Sequence, residues 1–436
     1  MVENILLQGE EVIEEIKETA HSMDVPIAGG SIPEPVQEIT ESVHRKPKIG
    51  IFVDAFFPTI DGVIIVVDNL ARILSEHFDI TVFTAAPAKG NYDDSDRPYK
   101  VVRCKSRKIP LVKNIDYDWP NPNGDKEFKK AINESELDMV HIHSPFGVGK
   151  MGLRYAKRHN VPTAITMHSQ YKRDFLKASK SRLITYFLMK SVARVFNACD
   201  EVLAVNHASK EVVRNYGIKK EPIVMENGTD MLPVENKETA TKEINEKYSI
   251  GADERVILYV GRLVKVKNIF FIAEVLKTLK SKGAEYKMIF VGAGAEKKEL
   301  HDQIEKYGLT DRVIFAGVVR DRELLAKLYS RADIFVFPSF YDTDGVVKKE
   351  AASQKTPMVC AKGSIVAKSV IDGHNAYVAP NDKEGFANAV IDALTDKDKY
   401  SKICENAFND LYITWDDTAK KTHKLYLELV NKAGNK

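Results

Sequence analysis

Short apolar runs alternate with longer amphipathic stretches along most of the chain, beginning near residue 47. The runs in the first half are KIGIFV (48–53), ITVFTA (80–85), MVHIH (139–143), TAITM (163–167) and EVLAV (201–205). Each is bounded by turn residues, as is typical of a buried parallel strand, and helical patterns lie between them. The clearest helical pattern, VIIVVDNLARILSEHF, follows the loop DAFFPTIDG. This half of the chain therefore predicts a parallel sheet covered by helices.

A second series of the same kind begins after the turn ENGTD (226–230) and the polar span ENKETATKEINEKY. Its apolar runs are RVILYVG (255–261), YKMIFVGAG (286–294), RVIFAG (312–317) and DIFVFPS (333–339), each followed by a helical pattern. Two such series predict an α/β chain with two doubly wound Rossmann-like domains that face a cleft. We predict an N-terminal appendage over 1–46, with a short acidic helix from Glu10 to Met23, and domains over 47–230 and 231–414.

Composition narrows the class of protein. The 436 residues suit two domains, and 44% hydrophobic with 29% charged residues is ordinary for a soluble protein. A net charge of +2 gives no electrostatic case for nucleic acid. The first residues lack the basic start and apolar core of a signal peptide, so we expect a cytoplasmic protein. The four cysteines, at 104, 199, 360 and 404, are far apart, which indicates buried thiols rather than disulfides or a zinc site.

The strongest chemical signal is YDTDGVVKKEAASQKTP (341–357), where seven residues separate Asp342 from Glu350. A helix predicted to open at Gly345 would offer the backbone N–H groups of Gly345, Val346 and Val347 to an anion. Acidic residues near a helix start are often only partners of the helix dipole. The spacing alone leaves both interpretations open.

A second signal is VGRLVKVKN (260–268), which places Arg262 and Lys267 in the loop after the first strand of the second domain. Fixed cations there could stabilise charge that develops on a departing diphosphate. The alternative is an ordinary surface pair at a helix end. Gly292 in VGAG and Gly62 after DAFFPTID lie in loops where glycine permits a tight turn or close ligand approach.

These motifs resemble glycosyltransferase family 4, whose hallmark is an acid, seven residues and a Glu before small residues and Thr-Pro. The resemblance covers about residues 48 to 430 and implies the GT-B architecture. It also implies sugar transfer from a nucleotide diphosphate sugar with retention of configuration, without a metal or other cofactor. By resemblance, Asp342 contacts the transferred sugar, Glu350 binds the ribose, and Arg262 and Lys267 hold the donor diphosphate.

The same resemblance carries roles to further positions. The Gly62 loop would face the donor phosphate and the acceptor, Gly292 would line the donor pocket, and His168 in ITMHSQY would lie over the donor sugar and acceptor. Residues 415–436 resemble the family's terminal helix, which crosses back to the first domain. The chain departs from the pattern at Asp342, where Glu is commoner, at Gln354-Lys355, and over residues 362–380.

HIHSPFGVG (141–149) places His141 and His143 on alternate strand positions, hence on one face. A metal pair would need a third ligand, and none has matching local spacing. Packing of the strand with a loop hydrogen bond is the favoured interpretation, and no metal site is predicted.

Residues 172–194 are basic and amphipathic. Leu176, Leu183, Phe187 and Val192 recur at helical spacing, and the cations are Lys172, Arg173, Lys177, Lys180, Arg182, Lys190 and Arg194 against one acid, Asp174. The pattern predicts a helix lying on an anionic membrane surface, as in lipid-acceptor members of the family. The alternative is a domain helix with a solvated basic face.

The resulting hypothesis is transfer of a hexose to a membrane lipid such as diacylglycerol. The favoured sugar is glucose, and the favoured donor is UDP-glucose. The sugar, nucleotide, acceptor atom and oligomeric state are not fixed by the sequence. One alternative is an enzyme with a soluble or polymeric glycan acceptor in cell-wall or capsule synthesis, and another is a non-catalytic partner protein with the same fold. The first hypothesis places the protein peripherally on the inner face of the membrane.

Overall fold

The structure is a computed structural model that describes residues 45–59, 61–87, 90, 92–107, 119–340, 342 and 345–434. Residues Lys46–Lys436 form one compact unit. The predicted appendage and its helix over 10–23 lie outside the described residues.

A parallel sheet of seven strands occupies the first half, in the order β3-β2-β1-β6-β7-β8-β9. Its strands are β1 (Lys48–Phe52), β2 (Asp79–Ala85), β3 (Lys100–Cys104), β6 (Met139–Ile142), β7 (Thr163–Met167), β8 (Glu201–Ala204) and β9 (Ile223–Val224), and β4 (Ser106–Arg107) and β5 (Trp119–Pro120) form a separate antiparallel pair. The helices are α1 (Gly62–Leu74), α2 (Lys126–Asn133), α3 (Gly147–His159), α4 (Tyr171–Ser179), α5 (Arg182–Ala198) and α6 (His207–Asn215).

A second parallel sheet has six strands in the order β12-β11-β10-β13-β14-β15. They are β10 (Val256–Val260), β11 (Lys287–Val291), β12 (Val313–Gly317), β13 (Ile334–Phe337), β14 (Met358–Ala361) and β15 (Tyr377–Ala379). The helices are α7 (Lys237–Tyr248), α8 (Ile269–Ser281), α9 (Lys297–Lys306), α10 (Arg322–Arg331), α11 (Val346–Ser353), α12 (Lys383–Thr395), α13 (Lys397–Leu411) and α14 (Trp415–Gly434).

The predicted architecture is confirmed, and each predicted strand is present with bounds that differ by no more than three residues. The sequence pattern did not predict β3, β9 and β15, which lie at sheet edges, or β14, which lies between β13 and β15. Three of these have only two to four residues, and β3 is an edge strand whose middle residues are only half-buried. Neither feature produces the long apolar run that marks a central strand. The four cysteines are buried thiols, as expected.

The strand order reverses beside the first strand of each sheet. β1 lies between β2 and β6, and β10 lies between β11 and β13, with every neighbour parallel. Loops leaving the carboxyl ends of neighbouring strands diverge at such a point and leave a crevice between them. Both crevices hold residues singled out from the sequence.

The final helix packs on elements of the first half. α14 contacts α1 and β6, and its Tyr426 is fully buried. Just before this helix, Ile413 O accepts a hydrogen bond from Thr229 N at 2.8 Å, and Thr418 Oγ1, in the first turn of the helix, donates to Glu226 O at 2.8 Å. The connection between the two sheets is therefore held against the start of α14. The domain boundaries given above stay predictions.

The single amphipathic helix predicted over residues 172–194 is wrong. The segment forms two helices, α4 and α5, because Lys180 adopts a left-handed conformation with φ 52°. Ser181 then caps α5, its Oγ accepting from Ile184 N at 3.3 Å. Val192, counted among the membrane-facing positions, is instead buried in the core. Among the residues that the structure describes, no helix is long and apolar enough to cross a bilayer.

Candidate functional site

A lysine and an acid singled out separately from the sequence meet at the crevice of the second sheet. Lys267 ends a short 3₁₀ turn after β10, and Asp342 follows β13, the neighbouring strand. Lys267 Nζ forms an ion pair with Asp342 Oδ1, and the two side chains are only 12% and 17% exposed. Chain positions 75 residues apart are thus joined at the edge where the fold predicts ligand binding.

The second oxygen of Asp342 has unused hydrogen-bonding capacity. Oδ2 is buried and accepts no hydrogen bond in the described part of the chain. A buried carboxylate oxygen without a donor is costly, and such groups in native structures call for an explanation. A hydroxyl group entering the crevice could supply the missing donor.

The start of α11 lies three residues beyond Asp342. Gly345 precedes the helix with φ 63°, and a Cβ there would come within 3.1 Å of Val366 Cγ2. The N-cap residue, Gly345, has no side chain, so within the described residues it supplies no capping oxygen to the positive end of the helix dipole. An anion beside Val346 and Val347 would gain from this field.

Glu350 lies within α11 and is held by two side chains that the sequence reading missed. Its Oε1 is 2.9 Å from Arg322 Nη2, and its Oε2 accepts a hydrogen bond from Tyr329 Oη at 3.0 Å. Burial raises the pKa of Tyr329 well above its usual value, so this phenol stays a donor. Arg322 also pairs with Asp230. Arg322 follows an N-cap aspartate, and an arginine at that position does not distinguish a site residue from an ordinary surface residue in the sequence.

Two lysines of α11 are also buried, which the sequence did not indicate. Lys348 Nζ donates to Ser369 Oγ at 2.6 Å, and Lys349 Nζ donates to Asn227 O. Lys349 is fully buried. Adjacent lysines in a helix normally indicate a solvated face, so the sequence pattern did not predict that Lys348 and Lys349 are buried. Asn227 belongs to the connection between the two sheets, so α11 is tied directly to that connection.

The glycines and Arg262 of the predicted donor site have different roles in the structure. At Gly292 φ is 133° and a Cβ would lie 2.0 Å from Gly261 O, so glycine is required by two backbones that touch. At Gly62 a Cβ would meet nothing within 4 Å, and the space is open. The Arg262 side chain is exposed, while its carbonyl accepts from Tyr259 Oη at 3.1 Å.

Asp54 occupies the matching crevice of the first sheet, directly after β1. Its Oδ1 accepts from Val148 N at 2.8 Å, at the start of α3, and its own N–H donates to Ser144 Oγ at 3.2 Å. The residue is half-buried, but Oδ2 is completely buried and lacks a hydrogen-bond partner in the described structure. Burial raises the pKa of Asp54 to about 6, against smaller lowering by the backbone hydrogen bonds.

Three histidines form a connected group behind this crevice. His141 bonds Tyr426 Oη through Nδ1 at 2.6 Å and Thr166 Oγ1 through Nε2 at 2.8 Å, in line with the packing interpretation. Its ring lies 4.1 Å from that of His143. His143 Nδ1 is 2.9 Å from Nε2 of His168, which follows β7. Burial lowers the pKa of His141 to about 3 and that of His143 well below its usual value.

The basic segment presents an apolar surface beside its charges. We call it the α4–α5 surface, formed by exposed Leu176, Leu183, Ile184, Tyr186, Phe187 and Leu188 with Lys172, Lys177, Lys180 and Arg182. Arg173, predicted to belong with them, instead donates from Nη1 to Phe340 O at 2.7 Å. Phe340 is two residues before Asp342, so this arginine links the two halves of the molecule.

Comparison with known proteins identifies the family to which the chain is related. The model for Glycosyltransferase Family 4 matches residues 60–231, and the model for glycosyl transferases group 1 matches residues 240–410. An alpha-monoglucosyldiacylglycerol synthase from Streptococcus pneumoniae is 24% identical, over 88% of this chain and 86% of its own length. A synthase of the same name from Acholeplasma laidlawii is 24% identical, over 89% of this chain and 99% of its own length.

The chain belongs to glycosyltransferase family 4.

Solved structures agree on the architecture of this glycosyltransferase. HepE from Anabaena, solved in complex with UDP and glucose, superposes with a TM-score of 0.67 at 18% identity, covering 88% of this chain and 100% of that one. A sucrose-phosphate synthase from Thermosynechococcus elongatus gives 0.70 at 20% identity, covering 89% and 100%. At these identities the comparison establishes the shared GT-B fold.

Proposed function

We propose that this glycosyltransferase transfers a hexose to a membrane lipid such as diacylglycerol, with retention of configuration. The favoured sugar is glucose, and the favoured donor is UDP-glucose. The observation that carries the donor side is the buried Lys267–Asp342 pair beside the start of α11, where the N-cap residue is Gly345. It combines a fixed cation, a carboxylate oxygen that lacks a donor, and a helix dipole within one crevice. A sugar joined to a diphosphate presents the complementary groups, which are hydroxyls and anionic oxygens.

Each group has a defined part in this proposal. Lys267 and the N–H groups of Val346 and Val347 stabilise the diphosphate as charge builds on it. Arg262 swings from its exposed position to grip two phosphate oxygens. Asp342 accepts a hydroxyl of the sugar, and Glu350 exchanges Arg322 or Tyr329 for the ribose hydroxyls.

The reaction needs no residue that forms a covalent bond. The bond between the anomeric carbon and the diphosphate oxygen breaks, and the acceptor oxygen forms a new bond on the same face. The acceptor proton passes to an oxygen of the departing phosphate. Charge separation in this step is what the cations and the helix start stabilise.

The lipid acceptor is supported by the α4–α5 surface and by the two relatives named as monoglucosyldiacylglycerol synthases. Leu183 is 66% exposed and Phe187 is 61% exposed on one helix. Apolar side chains of this kind next to lysines and arginines suit an interface of acyl chains and anionic headgroups. The surface belongs to the domain that carries His168, so a lipid bound there would approach the crevice from that side.

The donor proposal is tested with the purified chain by thermal shift. UDP and UDP-glucose should raise the melting temperature, since a ligand of the folded state stabilises it by mass action. GDP-mannose, ADP-glucose and UDP-GlcNAc are the comparison donors, followed by nucleotide release in the presence of diacylglycerol. Failure of every nucleotide sugar to bind would remove the donor assignment, and preference for another donor would correct the sugar or the base.

The acceptor proposal is tested by flotation with liposomes that contain anionic lipid. The wild type should float, and Leu183→Glu combined with Phe187→Glu should remain at the bottom. Val318→Glu is the matched control, because Val318 is 60% exposed and lies in the second domain. A wild type that binds UDP-glucose but never floats would favour a soluble or polymeric glycan acceptor.

A further inference from the structure

The contact between His143 and His168 restricts where the proton of His168 can be. His143 is 2% exposed, and its Nδ1 lies 2.9 Å from His168 Nε2. Between two neutral imidazoles one nitrogen must donate and the other accept. The remaining nitrogen of His143 decides which arrangement holds.

That nitrogen, Nε2 of His143, is buried and has no hydrogen-bond partner in the described part of the molecule. If His143 carried its proton there, a buried N–H would be orphaned, which is rarer and costlier than an orphaned acceptor. The proton therefore belongs on Nδ1, which donates to His168 Nε2. Burial beside His141 lowers the pKa of His143, so His143 does not carry both protons.

We infer that His143 is a positioning residue whose Nδ1–H keeps Nε2 of His168 an acceptor and places the proton of His168 on Nδ1, so that His168 serves sugar transfer as a hydrogen-bond donor and not as a base. This inference rests on the proposed function for its role in the reaction. Nε2 of His168 is occupied as an acceptor and cannot take a proton from the acceptor substrate. An oxygen contacted through Nδ1 receives a hydrogen bond, as a sugar hydroxyl can.

His141 explains why the arrangement is rigid. Both of its ring nitrogens are engaged, by Tyr426 of α14 and Thr166 of β7, and its ring packs on that of His143. The backbone N–H of His143 also donates to Phe52 O at 2.8 Å. The ring of His143 therefore has little freedom to flip and exchange the two nitrogens.

The tautomer can be read directly by nuclear magnetic resonance of the full chain labelled with ¹⁵N-histidine. The sequence has eleven histidines, and the resonances lost in His168→Gln assign the ring of interest. Protonated and unprotonated imidazole nitrogens resonate far apart. The inference expects a protonated Nδ1 and an unprotonated Nε2 for His168 in the ligand-free protein, and the opposite pattern overturns it.

Two variants test the influence of His143. His143→Asp can only accept, so the proton of His168 should move to Nε2, and kcat should fall at least about tenfold, toward the hundredfold loss of a transition-state donor. His143→Leu should leave Nε2 without its donor and shift that resonance. An unchanged His168 spectrum in both variants would show that His143 only packs.

The readouts separate this inference from the donor proposal. Thermal stabilisation by UDP should survive in His143→Asp, because Lys267 and α11 are untouched. A wild type without any nucleotide response would end the proposed function while the tautomer measurement still stood. A normal nucleotide response with His168 protonated at Nε2 would end this inference alone.

Discussion

Replacing Asp54 by Asn should remove a pH dependence of stability that the wild type carries. In the folded protein the pKa of Asp54 is raised from 3.8 to about 6, mainly by burial. Each pKa unit corresponds to ~1.4 kcal/mol of folding free energy, so the ionised carboxylate costs the folded state about 3 kcal/mol. The structural basis of this raised pKa is that Oδ2 of Asp54 is buried without a hydrogen-bond partner in the described structure.

The sign follows from proton binding. Between pH 4 and pH 6 the unfolded chain has released the Asp54 proton while the folded chain still holds it. Stability contributed by this group is fully present below the unfolded pKa and is lost as pH rises through about 6. The asparagine side chain of the Asp54→Asn variant cannot ionise. It keeps an oxygen for the Val148 N–H, and the cost of burying its Nδ2 is independent of pH.

Urea unfolding of both proteins at several pH values between 4 and 7 measures the effect. The unfolding free energy of the wild type minus that of Asp54→Asn should fall by about 2–3 kcal/mol across this range. The matched control is Asp79→Asn, an exposed carboxylate at the start of β2, for which a much smaller change is expected. Parallel curves for wild type and Asp54→Asn would refute the reasoning, as would a difference that grows with pH.

Other predictions concern the second domain. Lys267→Ala should lower turnover at least about a hundredfold, whereas Lys265→Ala, in the same turn but exposed, should change it little. Glu350→Ala should reduce turnover on the same scale, measured as nucleotide release, and normal rates in both site variants would remove the donor assignment. Asp342→Glu tests the shorter acid: faster transfer would mean that its length limits the enzyme, and lost transfer would mean that the sugar requires it. Gly292→Ala should lower the melting temperature even without ligand, because its Cβ would meet Gly261 O.

Much of the architecture was accessible from hydrophobic patterning, because central strands of parallel sheets are buried on both faces. β7 and β10 show this well, as all five residues of each are buried. Hydrophobic patterning did not predict β9 and β15, because these are short strands at a sheet edge that pair with a neighbour on one side only. The break at Lys180 was also missed, since only local backbone geometry marks it.

The candidate site divided along similar lines. Lys267 and Asp342 could be found because each follows a recognisable strand, and parallel strands bring their ends together. Tyr329 and Arg322 act through Glu350, which is distant in sequence, so no local spacing indicates them. The spacing of His143 is evident from the sequence, but its contact with His168 could not be predicted from it. A residue whose role depends on a tertiary contact can be recognised only once the fold is known.

The bond between Lys349 and Asn227 has a mechanical consequence. The buried ammonium of Lys349, in the helix after Asp342, donates to the carbonyl of Asn227 in the connection between the two sheets. Breaking a hydrogen bond to a charged group costs roughly 1.5–3 kcal/mol. A rotation of the first sheet that moves the connection at Asn227 should therefore move α11 with it. Motion of the connection between the sheets would then be coupled to motion of α11, the helix to which we assign the donor diphosphate.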